Sequence, residues 1–521
     1  MIRRETNFPS MTRMLAVAAL LALSGCSSEA TTPSDTVPES TATEGTSDGP
    51  GDGTTDGTTD GTTDGATDTG ETDIGEAPVV PEYPELLGVP LAPDNNPEPG
   101  VVEISLTAAP SLIEMVPGTQ TAMWTYNGQL PGPAIQARVG DRVVVHLQND
   151  LPEPTTIHWH GMRVPNAMDG TPRTQDPIQP GEDFTYEFVV EDAGTFWYHP
   201  HFATDVQVER GLYGVLVVHE EEAPDYDVER IVFLDDILLN ASNQREPFVY
   251  SHPVQMHGRN GNVLLLNGKA VNGDTLLQLQ RGTVERWRIL NSANARTAYF
   301  DVSEADWSVI GWDGGLIPTP YAPELLRVSP GERFDLQVRW DAEQGVAGEM
   351  RYWVPQLQND EVVLAPITLT TLMSTGLPPL EPRQPTLPQI TLPPLDTEAQ
   401  ATLTLKLSGQ NVGGTVEWYI NGKTFDNAEP FEIPLGTVHT IDLVNEAAQE
   451  HPFHIHGHFF RVVSRNGVPE PYDGLKDTVY IGGDETVRLL LEFDNPGGWM
   501  AHCHILEHAA LGMMALFEVV E

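Results

Sequence analysis

From residue 98 to the C-terminus, apolar and polar positions alternate in short runs broken by Gly, Pro and Asn. Val143-Val144-Val145-His146-Leu147 and Thr283-Val284-Glu285-Arg286-Trp287-Arg288-Ile289 are two of them. A period of two marks a strand with one face turned to a core. The runs recur in a fixed frame. Asn127-Gly128 is followed by Gly140 and Asn149, Asn267-Gly268 by Gly282 and Asn291, and Asn421-Gly422 by Gly436 and Asn445. Gly to Asn spans nine residues each time. Turn, strand, turn and strand at this spacing predict an all-β chain built of sandwiches. Three copies predict three consecutive domains, at 98–222, 228–373 and 400–521, with the Pro-rich stretch 374–399 as a covering linker. The 47 Gly and 44 Pro among 521 residues suit many short strands and turns.

The first 97 residues do not follow this frame. Arg3, Arg4 and Arg13 precede an apolar run from Met14 to Leu23, too short for a permanent membrane span, and the run ends in Leu23-Ser24-Gly25-Cys26. This resembles a bacterial signal peptide (1–26) with a lipobox, so Cys26 is expected to carry lipid and to tether an exported protein to the cell envelope, periplasmic or surface-facing. Export by the general or the twin-arginine route stays open. Residues 27–97 form a spacer and lead-in. Asp-Gly-Thr-Thr repeats run from Asp52 to Asp64, and such a segment buries too little apolar surface to offset its ordering entropy. The formal net charge of −48, from 75 acidic and 27 basic residues, argues against a nucleic-acid partner. With Cys26 assigned to lipid and Cys503 to chemistry, no disulfide is expected.

Ten of the sixteen histidines fall in four short clusters: His158-Trp159-His160, His199-Pro200-His201, His451-Pro452-Phe453-His454-Ile455-His456, and His502-Cys503-His504 with His508. His158 and His454 both lie nine residues past the closing Asn of their copies. The second copy has Phe300 and Val302 in place of that pair, and Trp353 and Pro355 in place of the other. On a strand, residues i and i+2 share a face, so four His-x-His pairs present eight imidazoles. That is too many for one zinc site, and imidazole joined by thiolate and thioether selects toward copper. Cys503 points away from His502 and His504. With His451, His508 and an axial Met it suits an electron-transfer copper, covalently bonded to the eight-histidine site.

At these residues the chain resembles the multicopper oxidases, closest in its HWHG, HPH, HPFHIHGH and HCHILEH strings to spore-coat laccases, bilirubin oxidases and copper-efflux oxidases. The resemblance implies three cupredoxin-like Greek-key sandwiches and four copper ions. Carried over by motif, type 1 copper takes His451, Cys503, His508 and Met513, with Met514 the rival for the axial place. Type 2 copper takes His158 and His454. One type 3 copper takes His160, His199 and His504, and the other takes His201, His456 and His502. Cys503, His502, His504 and Asp169 are the candidate catalytic residues; Asp169 matches an acid that delivers protons to dioxygen, or else is a turn residue before Gly170. Several bacterial relatives have an acid after the last type 1 histidine, where this chain has Ala509; Glu507 is two residues earlier.

The resemblance implies a monomeric oxidase that takes single electrons from a small reducing substrate, through an exposed edge of His451 or His508, and reduces dioxygen to water. Phenols or aromatic amines are the first expectation for the substrate. Cu(I), Mn(II) or Fe(II) is the alternative, and a non-catalytic copper-binding scaffold the third reading. His458, His146, His219, His252, His257 and His439 are read as ordinary.

Overall fold

The alternation resolves into six sheets, paired face to face, among the residues that the computed structural model describes: 86–358, 361–381, 383–396 and 400–521. The expected signal peptide and most of the expected spacer lie outside these residues. The first sandwich packs the sheet of Thr121–Tyr126, Val101–Ile113, Arg142–Asn149 and Asp183–Val189 against that of Ile135–Arg138, Gly214–His219, Gly194–His199 and His158–His160. The second is the largest, and it captures Leu86–Leu87 as a parallel edge strand beside Val228–Ile237. The third pairs a six-stranded sheet with a five-stranded one containing His451–Ile455 and Gly497–Cys503. Each sandwich holds its own apolar core, and a fourth cluster, with Leu86, Trp197, Val215, Phe233 and Leu506, joins elements of all three.

The repeated residues have a physical reason. Asn127, Asn267 and Asn421 have φ of 54°, 48° and 53°, each followed by a Gly at positive φ. These are two-residue hairpin turns, which require that conformation at both positions. Asn149, Asn291 and Asn445 are buried at strand ends. Each amide Nδ2 donates to two carbonyls, such as Glu153 and Ile178 for Asn149, and each Oδ1 accepts the N–H two residues on. The Asn thereby holds together the loop that leads to the strand bearing the first histidine pair.

The three copies then diverge. In the second sandwich Phe300 and Val302 are buried in the core, where each contributes about 1.5–3 kcal/mol. In the first and third, imidazoles take the equivalent places and face one another across the junction of the two sandwiches. The described residues of 378–396 include no strand. It is held along the second sandwich by Leu380 N–H to Arg281 O and by Arg339 to Arg383 O, and reaches the third, where Pro393 O accepts from Arg461.

Candidate copper centres

His158–His160 pairs antiparallel with Gly194–His199, with His158 opposite His199. His451–Ile455 lies between Thr478–Ile481 and Gly497–Cys503, with His454 opposite His502. Strand alternation sends Trp159 into the first core and Cys503 into the third, while the flanking histidines turn to the junction. All eight junction histidines are buried. Ligand atoms of His158, His160 and His199, of His158, His454 and His456, and of His201, His456 and His502 form tight triads. The His504 ring lies 5.0 Å from that of His160 and 5.7 Å from that of His199.

Hydrogen bonds decide which nitrogen each ring offers. Nδ1 of His158, His199, His454 and His502 donates to the carbonyls of Asp169, Pro200, Asp477 and Cys503, each at 2.9 Å. His456 Nδ1 donates to both carboxylate oxygens of Asp169 at 3.1 Å. These rings therefore turn Nε2 lone pairs inward. His160 is reversed: its Nε2 meets Asp477 Oδ1 at 3.1 Å and Thr478 Oγ1 at 3.0 Å, leaving Nδ1 free. The Nε2 atoms of His456 and His502 approach to 3.1 Å. Two lone pairs at that distance repel unless a cation lies between them. Nε2 of His158, His199, His454 and His504 and Nδ1 of His160 are buried with no hydrogen-bond partner, a costly state that a metal bond would relieve. Burial holds His201 down at about 3 and the His160, His199, His456, His502 and His504 imidazoles well below the ordinary range. They are neutral at pH 7, as ligands must be. The donor set fits copper.

A second group lies on the other side of Cys503. Its Sγ is 3.4 Å from His451 Nδ1 and 3.8 Å from His508 Nδ1, and those nitrogens are 3.2 Å apart. Burial pushes the Cys503 thiol up and His451 down to about 3, so only a bound cation would favour the thiolate. Met513 is wholly buried in the same cluster as Cys503, whereas Met514 pairs with His502 across the strands and lines a cavity on the other side. Cys503 is bonded to His502 and His504, so the two groups share one backbone segment.

The expected exposed edge of His451 or His508 is absent, because both are 0% exposed. The helix His252–His257 of the second sandwich covers them. His508 Nε2 donates to Met256 O at 3.3 Å, and Trp418, whose ring lies tilted 4.1 Å from that of His508, donates Nε1 to Gln255 O. His252 and His257, read as ordinary, lie on this cover. His458 is held by His456 O and Asn495 N–H, a structural role.

Sequence reading missed Asp477 and Arg333. Asp477 contacts His160 and His454, and Arg333 of the second sandwich forms a bidentate pair with it. Arg333 sits in a Pro-Gly-Glu-x-Phe string that the first copy also carries, at 180–184 and 330–334, but the second copy, bare of histidine, gave no reason to look there. Gly161 explains the last letter of HWHG. It has φ +86°, and a Cβ there would sit 2.4 Å from Arg333 Nη2 and 2.5 Å from Asp477 Oδ2.

Two family signatures, both described as multicopper oxidase, match residues 108–223 and 380–521. The multicopper oxidase MmcO of Mycobacterium tuberculosis is 31% identical over 457 residues, covering 80% of this chain and 87% of its own length. A multicopper oxidase of Campylobacter jejuni, described as a metallo-oxidase, is 28% identical with a TM-score of 0.72, over 84% of this chain and 96% of that one. A laccase-like oxidase of Ochrobactrum with activity towards lignin model compounds and lignosulfonate is 29% identical with a TM-score of 0.71, over 83% of this chain and 100% of that one.

Proposed function

The chain belongs to the multicopper oxidase family, and from that premise we propose that it couples one-electron oxidation of phenols or aromatic amines to four-electron reduction of dioxygen to water. The observation that carries this reading is the shared segment His502-Cys503-His504. One strand joins a His–Cys–His group to an eight-histidine group, so an electron accepted at the first needs only a few bonds to reach the second.

One copper would be held by His451, Cys503, His508 and Met513, one by His158 and His454, one by His160, His199 and His504, and one by His201, His456 and His502. When bound, copper supplies the one-electron redox steps and the site of dioxygen reduction. The protein supplies the rest. Asp169 and Asp477 fix ring tautomers from outside the cluster, as partners of metal-bound histidines commonly do. Trp418 and the helix His252–His257 exclude water from the Cys503 group. Asp169, buried between His158 and His456, is assigned a second task, relaying protons to dioxygen.

Oxidation of metal ions is the second reading. It is favoured by the covering helix, which carries His252, Met256 and His257 and whose Met256 carbonyl His508 contacts. Dioxygen uptake by copper-loaded protein, compared across phenols, aromatic amines, bilirubin, Mn(II), Fe(II) and Cu(I), tests both. Fast uptake with phenols supports the first reading, and uptake with metal ions alone supports the second. No uptake with any of them leaves only the copper-binding scaffold. For its location, Leu23-Ser24-Gly25-Cys26 supports a lipid anchor on the cell envelope, with the body standing off the membrane on its acidic spacer.

A further inference from the structure

A cavity of about 250 Å³ opens from solvent onto one side of the eight-histidine group. His201 and His502 form part of its wall, and Asp205, Arg173, Ala509 and Met514 line it too. Asp205 lies on the short helix Thr204–Glu209 and is 3% exposed, while its carboxylate accepts the hydroxyl of Tyr250, which is 37% exposed. The cavity, Asp205 and Tyr250 thus connect solvent to the face of two ligand histidines. Nothing assigned so far uses Asp205.

The reaction calls for such a connection. Turning one dioxygen into two waters consumes four electrons and four protons. The electrons come through Cys503, buried in an apolar core that offers protons no path. Both Asp169 oxygens face His456 Nδ1, and Asp169 does not line the cavity. Ala509 presents a methyl group to the same cavity.

We infer that Asp205 carries protons from Tyr250 through this cavity to dioxygen at the His201–His502 side of the cluster. This rests on the oxidase reading. Each proton that leaves the Asp205 carboxyl is replaced by the Tyr250 hydroxyl, which takes one from solvent. Four such transfers, with four electrons from four one-electron substrate oxidations, balance one dioxygen to two waters. The surroundings suit a carboxyl that holds its proton. Burial raises the Asp205 carboxyl above its ordinary value, against the opposing Tyr250 and backbone N–H hydrogen bonds. Glu507 faces it from Leu506–Ala510, with Asn294 Nδ2 donating both to Glu507 and to Asp205 O. Arg173 faces the cavity, as do His201 and His502, and Glu209 behind is paired with Arg259.

The test uses full-length, copper-loaded protein and its variants Asp205→Asn, Asp205→Glu, Tyr250→Phe and Asp205→Asn/Ala509→Glu. Stopped-flow absorbance follows substrate bleaching of the blue colour and its return with dioxygen. Asp205→Asn should slow the return by about a hundredfold, the low end for a positioned acid, and leave bleaching unchanged. Asp205→Glu, and the double variant that returns a carboxyl to the cavity at 509, should restore most of the rate. A wild-type rate of return in copper-replete Asp205→Asn would overturn the inference. Should Asp205→Asn fail to take up copper, Tyr250→Phe decides: a slowed return with an enlarged solvent deuterium effect supports the relay, and an unchanged return overturns it. A wild-type protein that dioxygen does not reoxidise would instead refute the oxidase reading.

Discussion

The guanidinium of Arg333 meets the carboxylate of Asp477 end-on, Nη1 at 2.7 Å from Oδ1 and Nη2 at 2.6 Å from Oδ2, with both side chains fully buried. Asp477 Oδ1 also accepts His160 Nε2, and Asp477 O accepts His454 Nδ1. The second sandwich, which has no histidine pair, therefore holds the carboxylate that orients His160. Arg333 holds Asp477 well below the usual carboxylate range against a burial penalty that acts the other way, so the acid is ionised when it orients His160.

Asp477→Asn keeps the shape and removes the charge. It should weaken copper binding at the eight-histidine group by about 10- to 100-fold, as loss of a partner behind a metal-bound histidine does. The blue colour of the Cys503 group should remain. Copper analysis with paramagnetic resonance separates the two. Arg333→Met leaves Asp477 buried and unpaired and should cost about 3–5 kcal/mol of stability, read from denaturant unfolding.

Cys503→Ser replaces a soft thiolate with a hard hydroxyl. The blue colour and substrate oxidation should both be lost, while the copper held by the eight histidines is largely kept, because those rings take their orientation from Asp169, Asp477 and backbone carbonyls. Oxidation of phenols at the wild-type rate by this variant would remove Cys503 from the electron path.

Met513→Leu keeps volume in a packed core and removes a thioether. The potential of the type 1 site should rise, since a weak axial ligand tunes it. Met514→Leu should leave that potential unchanged, because Met514 faces the cavity beside His502. Redox titration of both variants distinguishes them.

Full-length protein should fractionate with membranes, and Cys26→Ala should release it. A chain beginning at Ala77 retains the edge strand Leu86–Leu87 and every ligand, so it should be soluble and as active as the parent. Membrane fractionation and mass analysis of the N-terminus check the anchor. An unmodified Cys26 in the wild type would contradict it.

Much of this site was legible because strand chemistry writes it in period two. His158 and His160 share a face for the same reason that Trp159 is buried behind them, and the frame of Asn149, Asn291 and Asn445 showed which copies carry the pairs. What escaped the sequence depends on contacts between sandwiches. Asp477 and Arg333 are 144 residues apart and meet only after the second and third sandwiches dock. The cover over His508 comes from a six-residue helix whose contacts, the backbone carbonyls of Gln255 and Met256 accepting from Trp418 and His508, leave no side-chain pattern in the sequence. Asp205 looked like any surface acid until the fold placed it on the wall of a cavity with His201.

The ratio of substrate oxidised to dioxygen consumed tests the central claim most directly. It is read with a one-electron phenolic donor, an oxygen electrode and a peroxide assay on copper-loaded protein. If Cys503 feeds an eight-histidine centre that stores all the electrons dioxygen needs, about four donor molecules are oxidised per dioxygen and no peroxide accumulates. About two donors per dioxygen, with peroxide rising in step, would contradict the joined two-site centre on which this account rests.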